Sequence, residues 1–428
     1  MITVAKFGGS SVANANQFKK VKNIVRKDEN RSIVIVSAMG KRTPEDDKIT
    51  DLFIQLYHHP SQDLLFNRIY SRFVQLKTEL NLDYPIESEL RKLKQKLAHS
   101  LSYDDLISRG EYFTAQLMAE YLGYEFLDAK EIIQFTEEGM IDFQQTEYNM
   151  NRVWQKNKKF VIPGFYGNSV QGNVKLMERG GSDVSGALIA WCVNADLYEN
   201  WTDVSGFYLA DPRVIENPKK IQHITYKELK ELSHRGANVL HEEAIYPAKA
   251  KHIPIQILNT NRPLDCGTLI VENNMNKGIS GIAVDDHYSI IHVYNQEYKN
   301  EIDTIHDSLE ILKKYKIKIE NIPTGIDDFS FIVKNHEDET IMKKAIAEIY
   351  RSGSVKKIQL VRNISLISIV GDPISCYCKM MGKIFTSLGN KNIDIKMISK
   401  GNEDMNLLIG VDSSFVQEAM QSLYDSLV

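Results

Sequence analysis

Apolar and polar positions along the first two thirds of the chain switch repeatedly between a strand period and a helix period. Residues 2–7 are apolar or β-branched except for Lys6 and read as a short buried strand. Two glycines and two serines follow. Residues 14–27 then take up a helical pattern, with Phe18, Val21 and Val25 on one face. Residues 32–37 form a second continuous apolar run, ending in Ala38-Met39-Gly40-Lys41. Residues 46–123 read as helical throughout, with Leu52, Leu56, Ile69, Phe73, Leu76, Leu90, Leu93 and Leu97 at helical spacing and Pro60 and Pro85 as punctuation. Further on, 160–163 is a strand leading into a glycine-flanked aromatic loop, and 184–192 is a helix with Ser182 or Asp183 as its natural N-cap. Residues 195–203 read as a strand and its end, 226–233 and 237–251 as helices, and 254–258 and 267–271 as strands. Strands alternating with helices imply an α/β fold with a mostly parallel sheet, whose ligands bind beyond the carboxyl ends of the strands.

The rhythm stops in the polar run 272–278, which marks a domain boundary and assigns 1–278 to the first domain. Beyond it come a strand at 288–294, a helix at 301–315, strands at 318–322 and 329–333 and a helix at 337–351. The same order returns as 365–370, 377–388, 393–398, 405–411 and 414–427. This is an internal βαββα repeat with a period of roughly 75 residues. It implies two small α+β domains, 279–360 and 361–428. The ambiguous strand 279–285 either extends the first or completes the sheet of the second.

Composition narrows the function classes. A chain of 428 residues exceeds what one core serves and suggests two to three domains. A net charge of −4 gives no general attraction for nucleic acid or an anionic membrane, so any basic site is local. No apolar run approaches the roughly 20 residues of a spanning helix. The first strand begins at residue 2, which leaves no room for a signal peptide, and a cytoplasmic protein is expected. Cys192, Cys266, Cys376 and Cys378 make no zinc spacing, and no protein metal site is expected.

Candidate chemistry clusters where strands end. Gly8 and Gly9 let an anion approach the main chain closely, and Lys6 adds a charge beside them. An ordinary βα turn with a lysine at its edge would carry the same residues. In Ser108-Arg109-Gly110-Glu111 the glycine belongs at the start of a helix over 111–122, which puts Glu111 in the first turn. There it is either a favourable helix-dipole charge or a carboxylate able to hold an ammonium group. Arg179-Gly180-Gly181, ahead of a helix N-terminus, is a second candidate anion site, with guanidinium and free N–H groups together; a capped helix after a tight turn would explain the serine and glycines but not the arginine. The stretch 204–213 lacks a hydrophobic period and combines Tyr208, Asp211 and Arg213, a mixture suited to a nucleoside and its phosphates.

Together, Lys6-Phe7-Gly8-Gly9-Ser10-Ser11, the 36–41 loop, 108–111, 179–183, 202–208 with 211–213, and Gly236 to His241 resemble the aspartokinase family over essentially the whole chain. The resemblance implies the amino-acid kinase fold, a three-layer α/β/α sandwich, followed by a pair of ACT-like domains. It implies transfer of the ATP γ-phosphoryl group to the β-carboxylate of L-aspartate, the first step towards lysine, threonine and methionine. Lys6, Gly8, Gly9 and Ser10 would then bind phosphate, with Lys6 and Asp183 catalytic. Thr43, Glu111, Arg179 and Ser182 would contact aspartate, Arg179 its carboxylate and Glu111 its ammonium. Thr202, Asp203, Tyr208 and Arg213 would contact the nucleotide, and Mg²⁺ would arrive on ATP. Asn238 stands where the family usually has Lys, Glu242 where Pro is common, and 399–403 departs from the family's usual run. The ACT pair implies a homodimer or dimer of dimers and inhibition by an end-product amino acid. Lysine is favoured over threonine, because 46–51 resembles lysine-sensitive members. A same-fold kinase for glutamate or a related acid, and a non-catalytic amino-acid sensor, are the alternatives.

Overall fold

A computed structural model describes the chain except residues 98–100, 156–157, 179, 235–239, 241, 274–277, 296–300, 337, 353–354, 373–376 and 401–404. The chain divides into two compact units. One comprises Met1–Phe207, Lys220–Lys230 and Asn238–Met275, the other Tyr208–Lys219, Glu231–Ala237 and Asn276–Val428.

The first unit is built on the apolar runs. Thr3–Phe7 and Arg31–Val36 lie side by side near the middle of an eight-stranded sheet. The order across it is Glu125–Phe126, Phe160–Pro163, Arg31–Val36, Thr3–Phe7, Leu197–Thr202, Ile255–Asn259, Thr268–Val271 and His223–Thr225. Every pairing is parallel except that of Ile255–Asn259 with Thr268–Val271. Burial on both faces explains why the central runs lack alternation. The short strands Glu125–Phe126 and His223–Thr225 lie at the two sheet edges and are too brief to show a period.

The helical layer resolves into Ile49–His58, Asp63–Leu80, Ile86–Leu97, Tyr103–Ile107 and Arg109–Leu122. Its leucines share one core with Phe18, Val21 and Val25 of the helix Ala15–Lys27, which Asn14 caps through its side chain. Two helix starts differ from expectation. Arg109–Leu122 begins two residues before Glu111, because Ser108 is itself helical and continues the turn from Tyr103–Ile107. Gly110 thus sits inside the helix, where a Cβ would come within 2.9 Å of the Ala38 Cβ. Gly181–Cys192 is capped by Gly180 at φ 78°, so Ser182 and Asp183 fall in its first turn and not at the cap. The aromatic loop also returns as a hairpin, Tyr166–Asn168 against Val174–Leu176. The helix expected from residue 237 is described as Glu242–Ala250.

The second unit holds an antiparallel six-stranded sheet in the order Ile319–Asn321, Asp328–Lys334, Gly278–Asn295, Val355–Asp372, Asn406–Asp412 and Ile395–Lys400. In place of separate strands at 279–284 and 288–294, one strand runs from Gly278 to Asn295. It bends where its register shifts between Asp285 and Tyr288, with His287 at φ 72°. Its first part pairs with 366–372, in the second repeat, and its last part with 355–361. Helices Glu301–Lys314 and Glu339–Arg351 cover one repeat, Tyr377–Asn390 and Val416–Leu427 the other, each over its own apolar core. Ala210 and Ile215 join the latter core, which is why residues from the loop after Phe207 belong to this unit.

Candidate active site

Parallel register places the first charged group. Lys6 is paired with Asn200 on the neighbouring strand, so both side chains leave the same face of the sheet. The first turn of Gly181–Cys192 meets them there. Lys6 Nζ donates to Asp183 Oδ1 and lies 3.4 Å from Asn200 Oδ1, while Asn200 Nδ2 donates to Asp183 Oδ1 at 3.0 Å. Lys6 is 7% exposed and Asn200 1%. Tyr198, two strand positions before Asn200 and on the same face, donates its hydroxyl to the Asp183 carbonyl at 3.1 Å. Lysine, carboxylate and amide therefore form a closed ring at the carboxyl edge of the sheet.

The glycine turn beyond Lys6 is fused to the next loop. Gly8 N donates to the Trp201 carbonyl at 3.0 Å, Ser37 N to the Phe7 carbonyl at 3.1 Å, and Gly40 N to the Gly9 carbonyl at 2.8 Å. A Cβ on Gly40 would lie 2.6–2.8 Å from Gly9 and Ser10 backbone atoms, so only glycine permits this approach. Arg72 ties the loop down from the helix Asp63–Leu80. Its guanidinium donates to the carbonyls of Gly40 and Asp47 at 2.7 Å each and of Ala13 at 3.3 Å. Burial lowers its pKa only to about 10, so it stays cationic at neutral pH. Beside it, the hydrogen bond from Arg42 holds the Asp46 carboxyl well below the usual range.

Glu111 lies across the same cleft and is 4% exposed. Burial pushes its pKa up to about 8 against the pull of an Ala38 backbone hydrogen bond, and its Oε2 has no hydrogen-bond partner. The cleft, about 800 Å³, is also lined by Gly8, Gly9, Ser10, Thr43, Gly180, Ser182, Thr202 and Asp203. Lys6, Asp183 and Glu111 thus meet the glycine turns in one space. Tyr208 and Arg213 belong to the second unit, where Arg213 is 86% exposed and paired with Asp211. Arg179, Asn238 and His241 lie outside the described residues.

Several lining or supporting residues escaped the sequence reading. Asn200 is found only through strand register. Thr50 and Asp51, in the first turn of Ile49–His58, line the cleft beside Thr43. Arg72 left a legible signal: a charge on the apolar stripe of Ile69, Phe73 and Leu76 needs polar partners.

An opening for phosphate between glycine turns, a held lysine and a buried carboxylate suit an anionic donor and an amine-bearing acceptor. Comparisons with known proteins agree with that chemistry. Residues 1–259 match the amino acid kinase family, and 367–427 match an ACT domain. Aspartokinase 3 of Bacillus subtilis is 33% identical over 98% of this chain and 97% of its own. Lysine-sensitive aspartokinase 3 of Escherichia coli is 24% identical over 100% and 99%. The crystal structure of Clostridium acetobutylicum aspartate kinase superposes with a TM-score of 0.94 at 41% identity, covering 100% of both chains.

Proposed function

The chain belongs to the amino acid kinase family and, within it, to the aspartokinases; on that premise we propose that its cleft moves the γ-phosphoryl group of ATP onto the β-carboxylate of L-aspartate, giving 4-phospho-L-aspartate. The observation that carries the assignment of ends is Glu111, a buried carboxylate that lines the same cleft as Lys6 and has one oxygen without a partner.

In this reading the substrate ammonium takes the free Glu111 oxygen, Arg179 takes the α-carboxylate, and Thr43 and Ser182 flank the acceptor. Gly8, Gly9 and Ser10 offer backbone and hydroxyl donors to the phosphates. Thr202 and Asp203 face the nucleotide. A carboxylate oxygen attacks phosphorus while the bond to the ADP oxygen breaks. Such a nucleophile is already ionised and needs no general base, and no histidine stands among the described lining residues. Lys6 offsets charge on the transferring group, and Asp183 holds Lys6 in place. Among the described residues no three His, Cys, Asp or Glu side chains gather to hold a metal. Asp183 is also engaged by Lys6 and Asn200. That donor set suits Mg²⁺ brought by the ATP phosphates, where it would neutralise their charge.

A coupled ADP-release assay with aspartate, glutamate and acetylglutamate, with hydroxylamine trapping of the acyl phosphate, tests the function. Aspartate should be preferred by about 10-fold or more, the usual worth of one methylene in a fitted pocket. Equal rates with glutamate would overturn the assignment.

For regulation, we propose that lysine, more than threonine, inhibits through the second unit, as the name of the Escherichia coli relative suggests. The exposed edges at Ile319–Asn321 and Ile395–Lys400 favour a homodimer or a dimer of dimers. Among the described residues no helix is long and apolar enough to cross a membrane, and a cytoplasmic location fits the substrates. Titrating lysine and threonine separately against initial rate, with light scattering for mass, checks both points. A monomer indifferent to both amino acids contradicts them.

A further inference from the structure

Asn200 is buried between the two charged groups of the site, and its orientation is fixed by them. A carboxylate only accepts hydrogen bonds and an ammonium only donates them. The amide NH₂ must therefore face Asp183 and the amide oxygen Lys6, as the 3.0 Å and 3.4 Å separations show. No rotated amide satisfies both neighbours.

An isolated lysine–aspartate pair in a dry site would close on itself, with the ammonium free to turn about its last bond. Here the same Asp183 oxygen accepts from both the Lys6 ammonium and the Asn200 amide. Two of the three ammonium N–H bonds face Asp183 and Asn200. Lys6 Nζ lies 3.5 Å from where a Cβ on Gly8 would stand, so the ammonium sits beside the glycine turn with one N–H bond left over. We propose that Asn200 is a positioning residue for phosphoryl transfer: its amide shares the charge of Asp183 and fixes the Lys6 ammonium so that one N–H bond faces the phosphoryl group above Gly8 and Gly9. The inference rests on the role given to Lys6 under Proposed function.

Because the aligned N–H matters most as charge develops, loss of Asn200 acts on turnover more than on affinity. Asn200→Leu removes both hydrogen bonds. Asn200→Asp keeps the shape and an acceptor for Lys6 but replaces the donor to Asp183 with a like charge. Both variants, the wild type and Lys6→Ala are to be compared by steady-state kinetics and thermal melting. The expected result is a fall in kcat of about 10-fold or more in both Asn200 variants, with KM for ATP and aspartate within about threefold of wild type. Should Asn200→Leu fail to fold, the isosteric Asn200→Asp decides alone, since a space-filling role would leave its kcat unchanged. An Asn200→Asp enzyme within about twofold of wild-type kcat overturns the inference. Lys6→Ala separates the two layers: if it too keeps its kcat, the role of Lys6 fails; if it alone is inactive, only the role of Asn200 fails.

Discussion

At the Lys6 end of the cleft each charge is answered: ammonium by carboxylate, carboxylate by ammonium and amide, in a ring of two buried side chains and the half-buried Asp183. At the Glu111 end a carboxylate sits in a helix's first turn with one oxygen unpartnered, and burial favours its neutral form. The first end is preorganised. Phosphoryl transfer needs fixed positive charge where negative charge moves, and a group that had to reorient would forfeit that advantage. The second end is left incomplete, at a cost of about 1–3 kcal/mol for an unsatisfied buried group, and an incoming ammonium would remove that cost. A site that binds by completing itself discriminates against ligands lacking the amine, because they leave the defect in place.

Substitutions at the two ends should separate into different kinetic parameters. The largest effect is expected from Lys6→Ala, which should lower kcat by at least about 100-fold and leave the fold intact. Weakened ATP binding with near-normal kcat would reduce Lys6 to a binding residue and break the contrast. Glu111→Ala should raise the KM for aspartate by about 10-fold or more, from loss of a charge-assisted bond of roughly 1.5–3 kcal/mol. If the KM for ATP moved and that for aspartate did not, the two ends would have been assigned the wrong way round. Smaller, and common to both ends, is the effect of Gly40→Ala. Its Cβ would meet Gly9 and Ser10 backbone at 2.6–2.8 Å. A loss of about 1–3 kcal/mol in urea unfolding is expected, with a disturbed KM for ATP. A variant as stable as wild type would show that the two loops part easily.

The same division governs what could be read from the sequence. Lys6, Gly8 and Gly9 were legible because strand, glycine turn and helix follow one another directly, and the fold class followed from the same alternation. Glu111 was legible through the glycine beside it, although Gly110 turned out to be required by the approach of Ala38 and not by the helix start. Asn200 was not legible, since its role depends on which strands are neighbours and in what register. Asp183 was half legible: its helix was expected, but the cap passed to Gly180, which frees the aspartate for Lys6. The long strand Gly278–Asn295 escaped for a related reason. Its bend at 285–288 interrupts the alternation that would mark one strand, while the pairing continues across it.

The pH dependence of aspartate binding tests most directly the claim that the Glu111 end is completed by its substrate. With its pKa raised from 4.5 to about 8, Glu111 binds its proton more tightly in the folded protein. Its contribution to stability is therefore present in full below pH 4.5 and lost as pH rises through about 8. Only the ionised carboxylate can take an ammonium, so aspartate must displace that proton. Calorimetric titration of aspartate between about pH 6 and pH 8, in buffers of different ionisation enthalpy, reads affinity and proton release together. The account predicts affinity rising with pH by up to about tenfold per unit, with up to one proton released, and neither effect in Glu111→Gln. Wild-type affinity that is flat across this range, with no proton released, would contradict it.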